Sequence, residues 1–395
     1  GGKMVYSVPL IVFMDDVSGN ISKQWNKHHA IYMSNASLPR QMLEKEFCVR
    51  FVSSSPNAAP MELMRAMRNS ISEAAASGVR AWDCKYDKDV ILEPYALLFA
   101  GDNPMQAEEC SQGGVLCNYF CRTCHAGGNK AFKESHDGYN SMFSSGNERK
   151  PEETREEVLE QFRIAIEPGA ASKLSRKLQD TGIRDTTTAP ILNAVVEMGK
   201  KLRARTSAAG GLHSESDIRQ KLEGELEELL RGQTAEEVIN PLLGMDGVNI
   251  HLDTPTEVLH TVLLGVVKYL WAQTVATLDE KKLLSAFQTR LDSVDTMGLN
   301  TANVDAEYMV RHRRSLIGKH FKSLAQVMPF LIYDLVSGDV LDAWTRLGEL
   351  VVLIWHTEIH DMDKYIVSPS NEQCVYYMTL TLEFRLNCHD PFKIS

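Results

Sequence analysis

Cysteine is scarce in this chain, eight among 395 residues, too few to staple a core of this size with disulfides. Four of the eight fall between Cys110 and Cys124, which points to a reducing compartment and to metal ligation. Positive charge is also short: 42 Lys and Arg stand against 52 Asp and Glu, a formal net charge of −10. A protein built wholly for nucleic acid needs cations in excess on at least one face, so any such contact must come from local patches. No run approaches the roughly 18 apolar residues of a membrane span, and the N-terminus has no signal-peptide layout. A soluble, intracellular protein with no membrane partner is expected. No fixed-period repeat is visible. What remains is an ordinary globular composition, 44% hydrophobic, in a chain long enough for two or three domains or for one core with a large insertion. The chain opens GGKMVYSV, already entering a strand, and we expect a fragment of a longer protein.

Residues 5–16 read as a buried strand, because the apolar run PLIVFMDD ends in two carboxylates and VSGN follows as a turn. HAIYMSN (29–35) has the composition of an antiparallel partner. A short helix is expected over Leu38–Phe47, then a third strand over 48–55. A helix follows, started by Pro60 and stopped by Gly78. VRAWDCKY and VILEPYALLFAGD follow, the second an apolar run from Tyr95 to Ala100 with Asp102 at its tip. From Asn103 to about Gly146 the sequence is rich in Cys, Gly, Ser and Asn with little periodicity. Helices are expected at 147–166, 171–180, 189–205 and 214–231, with TSAAGGLHS as a flexible joint. Further helices are expected from Pro255 onward and at 279–293, 305–337 (with a break at Pro329) and 340–360. Residues 372–386 alternate as a strand.

Three acids stand out by position: Asp15 or Asp16 after the first strand, Asp102 after a later one, and Glu257 at the start of a helix. Two-metal phosphoryl chemistry needs carboxylates from separate elements, holding two divalent ions about 4 Å apart. A β-β-β-α-β order with acids on the first strand, a later strand and a distal helix is how an RNase H-like fold supplies them. Each acid also has a structural role open to it. Asp15 and Asp16 suit a turn, Asp102 a helix N-cap, and Glu257 a capping box with Thr254.

ECSQGGVLCNYFCRTCH carries a second constellation, Cys110, Cys117, Cys121, Cys124 and His125. A CxxC pair supplies two thiolates of a tetrahedral Zn²⁺ site. Cys110, Cys117, His125, His251 and His260 compete for the other two places. Buried free thiols are the alternative. The third feature is basic. Arg311, Arg313, Arg314, Lys319 and Lys322, with His312 and His320, form a band suited to phosphates or a solvated helix face. Lys200, Lys201, Arg203 and Arg205 make a weaker patch.

DDVSGNISKQWNKH, FVSSSPNAAPMELM, AWDCKYDKDVILEPYALLFAGDNPMQAE, NYFCRTC and HLDTPTEVLHTVLLGVVKYLW resemble the transposase-derived proteins of mushroom-forming fungi, distantly similar to CACTA-type DDE transposases. The resemblance runs through most of residues 5–365. It implies a metal-dependent DNA transposase in the nucleus, acting on transposon ends and target DNA with Mg²⁺ or Mn²⁺. On that pattern the first acid is Asp16 (or Asp15), the second Asp102 and the third Glu257, with Asp253 next, and Cys121 and Cys124 form the CxxC. The fold expected is α/β, an RNase H-like mixed sheet with a large, mostly helical insertion and a helical C-terminal part. Residues 1–102 would begin the core, 103–146 would be a Cys-containing module with a Zn²⁺ site, and 147–245 the helical insertion. Residues 246–365 would complete the core, and 366–395 do not continue the pattern. A domesticated, non-catalytic protein that binds DNA or protein is the alternative, and a homo-oligomer is left open.

Overall fold

The computed structural model describes residues 2–18, 27–142, 144, 146–204, 214–299, 304–356 and 358–366. The chain divides into two compact units, Gly1–Pro255 and Thr256–Ser395, each with its own hydrophobic core.

The first unit is built on a five-stranded mixed sheet. Its strands are β1 (Met4–Ser18), β2 (Lys27–Asn35), β3 (Arg50–Ser55), β4 (Val79–Asp83) and β5 (Lys88–Ala100), in the order β3-β2-β1-β5-β4. β1 pairs antiparallel with β2 and parallel with β5. The expected hairpin is present, but β1 runs past its two acids. Val17 and Ser18, expected in a turn, face His28 and Lys27 in the ladder. Pairing with β2 supplies the backbone partners that a turn would otherwise provide.

Leu10, Val12, Met14, Ile31 and Phe99 are buried on one face of this sheet, as strand alternation requires. They share a core with α1 (Pro60–Ser77), whose Met61, Met64 and Ile71 recur at helical spacing. Pro60 begins α1 and Gly78, with φ +68°, ends it. The short helix expected over 38–47 is present only as Arg40–Leu43 followed by a 3₁₀ turn at Glu46–Cys48.

α2 (Asn103–Glu109) opens the Cys-rich stretch, which also holds short helices at Lys130–Lys133 and His136–Ser141. Then come α3 (Pro151–Ala165), α4 (Ala170–Thr181), α5 (Ala189–Ala204) and α6 (Glu215–Leu230), close to the expected ranges. Val158, Phe162, Leu192, Val195 and Leu222 from these helices belong to the same buried cluster as the sheet. The expected insertion therefore shares the core of the first unit.

The second unit is helical where described. Its first helix, α7 (Leu259–Glu280), is π-helical up to Val267 and α-helical beyond. By length and composition α7 alone among the described helices suffices to cross a membrane, and half of that window is buried inside the protein. Val262, Leu263, Val267, Trp271 and Val275 lie in the core of this unit, as in the central helix of a globular domain. α8 (Leu284–Asp292), α9 (Ala306–Arg311), α10 (Gly318–Ile332) and α11 (Gly338–Ile354) follow. The helix expected over 305–337 is broken at 312–317 instead of at Pro329, which lies inside α10. A proline there forfeits one bond, to the Ala325 carbonyl. Burial of Phe321, Leu324, Met328 and Leu331 outweighs that loss. The strand expected over 372–386 lies outside the described residues.

Candidate functional site

β1 and β5 run parallel with Phe13 beside Ala100 as their last pair. Extending that register by two residues would set Asp15 beside Asp102, which itself lies beyond β5 at the N-cap of α2. Gly101 supports the close approach, since a Cβ there would meet the Met14 carbonyl oxygen at 2.9 Å. In the antiparallel ladder with β2, Asp15 faces Ala30, and Asp16 is exposed opposite His29. Asp15 Oδ1 accepts the Asp16 N–H at 2.7 Å. Asp102 is half-buried and caps α2, its Oδ1 accepting the Met105 N–H at 2.8 Å, so one of its two oxygens is committed to the helix.

The two candidates for the third acid fall in different units. Asp253 belongs to the first: its carbonyl accepts the Phe99 N–H of β5 at 2.8 Å, and its Oδ2 accepts the Asn249 N–H at 2.8 Å. Glu257 belongs to the second, where its Oε1 accepts the His260 N–H at 2.6 Å and lies 2.9 Å from His260 Nδ1. It caps the start of α7 through His260 and not through a box with Thr254. Thr254 instead donates its hydroxyl to the Ile250 carbonyl at 2.9 Å.

Behind Asp102 lies a polar nest that the sequence pattern did not reveal. Glu109 is fully buried and neither carboxylate oxygen has a hydrogen-bond partner. Burial pushes its carboxyl up to about 8, opposed by the Arg122 guanidinium and reinforced by Glu108 and Asp102. Gln106, one turn earlier, donates Nε2 to the Pro255 carbonyl at 2.7 Å and leaves Oε1 unpartnered. Arg122 makes long contacts of 3.4 Å to Asn103 Oδ1 and the Thr254 carbonyl, and its Nε is unpartnered. Helical spacing of Asp102, Gln106 and Glu109 was the available signal.

The Cys-rich loop is organised around a buried arginine. Arg149 is 1% exposed. Its Nε donates to the carbonyls of Cys121 at 2.8 Å and Cys124 at 3.3 Å, and its Nη1 and Nη2 donate to those of Thr181 at 3.0 Å and Tyr119 at 3.2 Å. Burial pulls its guanidinium below its ordinary value, partly offset by the surrounding thiols, Cys121 first. Gly182, with φ +71°, closes the site, because a Cβ there would lie 2.2 Å from the Tyr119 oxygen. The charged run NERKPEETREE concealed this residue among solvated neighbours.

Zinc ligation fares differently at each donor. Cys110 is a buried thiol 3.3 Å from both the Ile250 carbonyl and Thr254 Oγ1, pushed up to about 12 by burial. Burial also raises Cys117. His251 has both ring nitrogens engaged: Nδ1 donates to the Arg122 carbonyl at 2.8 Å, so Nε2 accepts from Thr154 Oγ1 at 2.9 Å. Burial holds its ring down to about 4, in the neutral form. Cys121 remains half-exposed; burial opposes ionisation, but hydrogen bonds from Thr123, from the Cys124 amide and from the Cys124 thiol bring its thiol below the ordinary range. Cys121 and Cys124 offer two thiols, short of the four donors that a closed Zn²⁺ site needs. Among the described residues no three His, Cys, Asp or Glu side chains gather as one metal-holding group.

In the second unit the basic stretch is split. Arg311, His312, Arg314 and Lys319 are exposed. Arg313 pairs with Asp279 at 3.1 Å, and Lys322 Nζ lies 5.6 Å from the Trp355 ring centroid. In the weaker patch Lys200 pairs with Glu197 and Arg203 with Glu215, and Arg205 lies outside the described residues. No family model matches this chain, and no curated protein matches it.

Proposed function

We propose that the chain is the catalytic region of a DDE-type DNA transposase, its first unit an RNase H-like core. The observation that carries this reading is the close approach of Gly101 to the Met14 carbonyl where the parallel β1–β5 ladder ends, from which we infer that Asp15 and Asp102 are neighbours. Three antiparallel strands, a helix and a strand parallel to the first also suit such a core, with β4 as the departure, antiparallel at the edge. Two carboxylates and water suit a Mg²⁺ or Mn²⁺ ion, which keeps several waters. Bound metal would polarise the phosphate and lower the pKa of water. Asp15 and Asp102 would hold it, with Asp253 as the candidate third acid in the same unit. The reaction is hydrolysis at a transposon end, freeing a 3′-hydroxyl that then attacks target DNA, and the compartment is the nucleus. The two thiols of Cys121 and Cys124 fall short of a closed Zn²⁺ site, and no step is assigned to zinc.

The test is Mg²⁺- or Mn²⁺-dependent cleavage of DNA carrying the element's ends, comparing the unaltered chain with Asp102→Asn. Asparagine still caps α2 but removes the anionic ligand. Loss of cleavage on this substitution supports the reading; equal cleavage in both removes it. A second reading, a transposase-derived protein that binds DNA or protein without cutting, is favoured by the engagement of Asp102 and Glu257 in helix caps. It predicts binding with no metal-dependent cleavage.

A further inference from the structure

We infer that the knuckle joining α9 to α10 is a binding surface for the phosphate backbone of double-stranded DNA. Between Asp305 and Lys322 the sequence carries five Lys and Arg against two acids, Asp305 and Glu307, in a chain whose net charge is −10. Folding concentrates part of that charge. Tyr308 lies tilted against His312 at 4.6 Å and against His320 at 5.5 Å between ring centroids, so the end of α9 and the start of α10 are clasped together. The turn is closed by the Ser315 N–H donating to the His312 carbonyl at 2.8 Å. This leaves Arg311, His312 and Lys319 exposed along the clasped turn. His320 Nδ1 accepts the Ile317 N–H at 3.2 Å. Its neutral ring then carries the remaining proton on Nε2, a donor suited to a phosphate oxygen. Burial, with Lys319 beside it and Asp305 opposing, pulls His320 below its ordinary value.

Two members of the basic stretch are excluded by their partners, Arg313 by Asp279 and Lys322 by the Trp355 ring. Arg311 and Lys319, with the two imidazoles and the Ser315 hydroxyl, can contact a sugar-phosphate backbone without reading bases. A membrane surface would draw on apolar side chains to insert as well as on charge.

The inference borrows from the proposed function only the choice of DNA as probe. Binding of the full chain to a short labelled duplex of arbitrary sequence is measured by anisotropy against salt, in EDTA, so that metal-site chemistry plays no part. Arg311→Gln with Lys319→Gln should weaken binding on the order of tenfold and lower the salt slope by about 2, one for each phosphate no longer neutralised. Lys281→Gln with Lys282→Gln removes the same charge from an exposed turn of the same unit and should leave the slope nearly unchanged. Tyr308→Phe, which keeps the ring contacts, should bind like the unaltered chain. Equal losses in the two double variants, an unchanged slope in the first, or tighter binding to phosphatidylserine vesicles than to the duplex would each overturn the inference. Duplex binding with this pattern but no cleavage with Mg²⁺ leaves the surface standing and removes the catalytic reading. Cleavage with unaltered affinity in the Arg311→Gln, Lys319→Gln variant does the reverse.

Discussion

Replacing Glu109 by Gln should stabilise the first unit, and the gain should grow with pH. In the unfolded chain this carboxyl ionises near pH 4.5, whereas in the fold, fully buried and without hydrogen-bond partners, it is pushed up to about 8. Between those values the unfolded state has released a proton that the folded state keeps, so stability falls as pH rises through the window. At roughly 1.4 kcal/mol per pH unit, the deficit at pH 7 is about 3 kcal/mol. Glutamine keeps the volume and the neutral polar character but has no proton to lose. Urea unfolding followed by hydrogen exchange in peptides from 96–112 reports the first unit separately from the second. The variant should match the unaltered chain near pH 4.5 and exceed it by about 3 kcal/mol at pH 7. A gain of the same size at both pH values, or no gain at pH 8, would refute the argument.

His251 works in the opposite direction. Its ring, held down to about 4, stays neutral in the fold while the unfolded chain takes up a proton below about pH 6.5, so stability is lost as pH falls from 6.5 to 4. In the Glu109→Gln background that loss should stand out as a decline of about 3 kcal/mol across the window. Arg149→Lys should loosen the Cys-rich loop, because an ammonium cannot reach the four carbonyls spanned by the guanidinium fork. A cost of about 3 kcal/mol and new proteolytic cuts between 114 and 147 are expected, and unchanged digestion would contradict the staple. Gly182→Ala should cost more than about 1 kcal/mol, since a side chain there meets both positive φ and the Tyr119 carbonyl; unchanged thermal unfolding would count against that packing.

Elements whose signals are local were legible in the sequence. Pro60 and Gly78 bracket α1 as their backbone preferences demand, and Gly169 and Gly182, both at positive φ, bracket α4. Features decided by partners distant in sequence were not legible. β1 continues through Asp15 and Asp16 because β2 offers a ladder there. Pro329 fails to break α10 because packing outweighs one forfeited bond. Charged residues hide best of all: Arg149 and Glu109 look like surface groups until the chain closes around them. For the site, position at strand ends pointed to Asp15, Asp16 and Asp102, but the β1–β5 register, with its bulge between Leu10 and Ile11, was not legible in the sequence.

The central claim is that Asp15 and Asp102 together hold a divalent ion, and Fe²⁺-directed backbone cleavage tests it without knowledge of any DNA substrate. Fe²⁺ bound in place of Mg²⁺, supplied with hydrogen peroxide and with ascorbate to re-reduce the Fe³⁺ formed, generates hydroxyl radicals that cut the chain beside the ion. The account predicts cuts near residues 15 and 102 in the unaltered chain, suppressed by excess Mg²⁺ and absent from Asp15→Asn and Asp102→Asn. Cuts that persist in both variants, or that fall elsewhere, would contradict it.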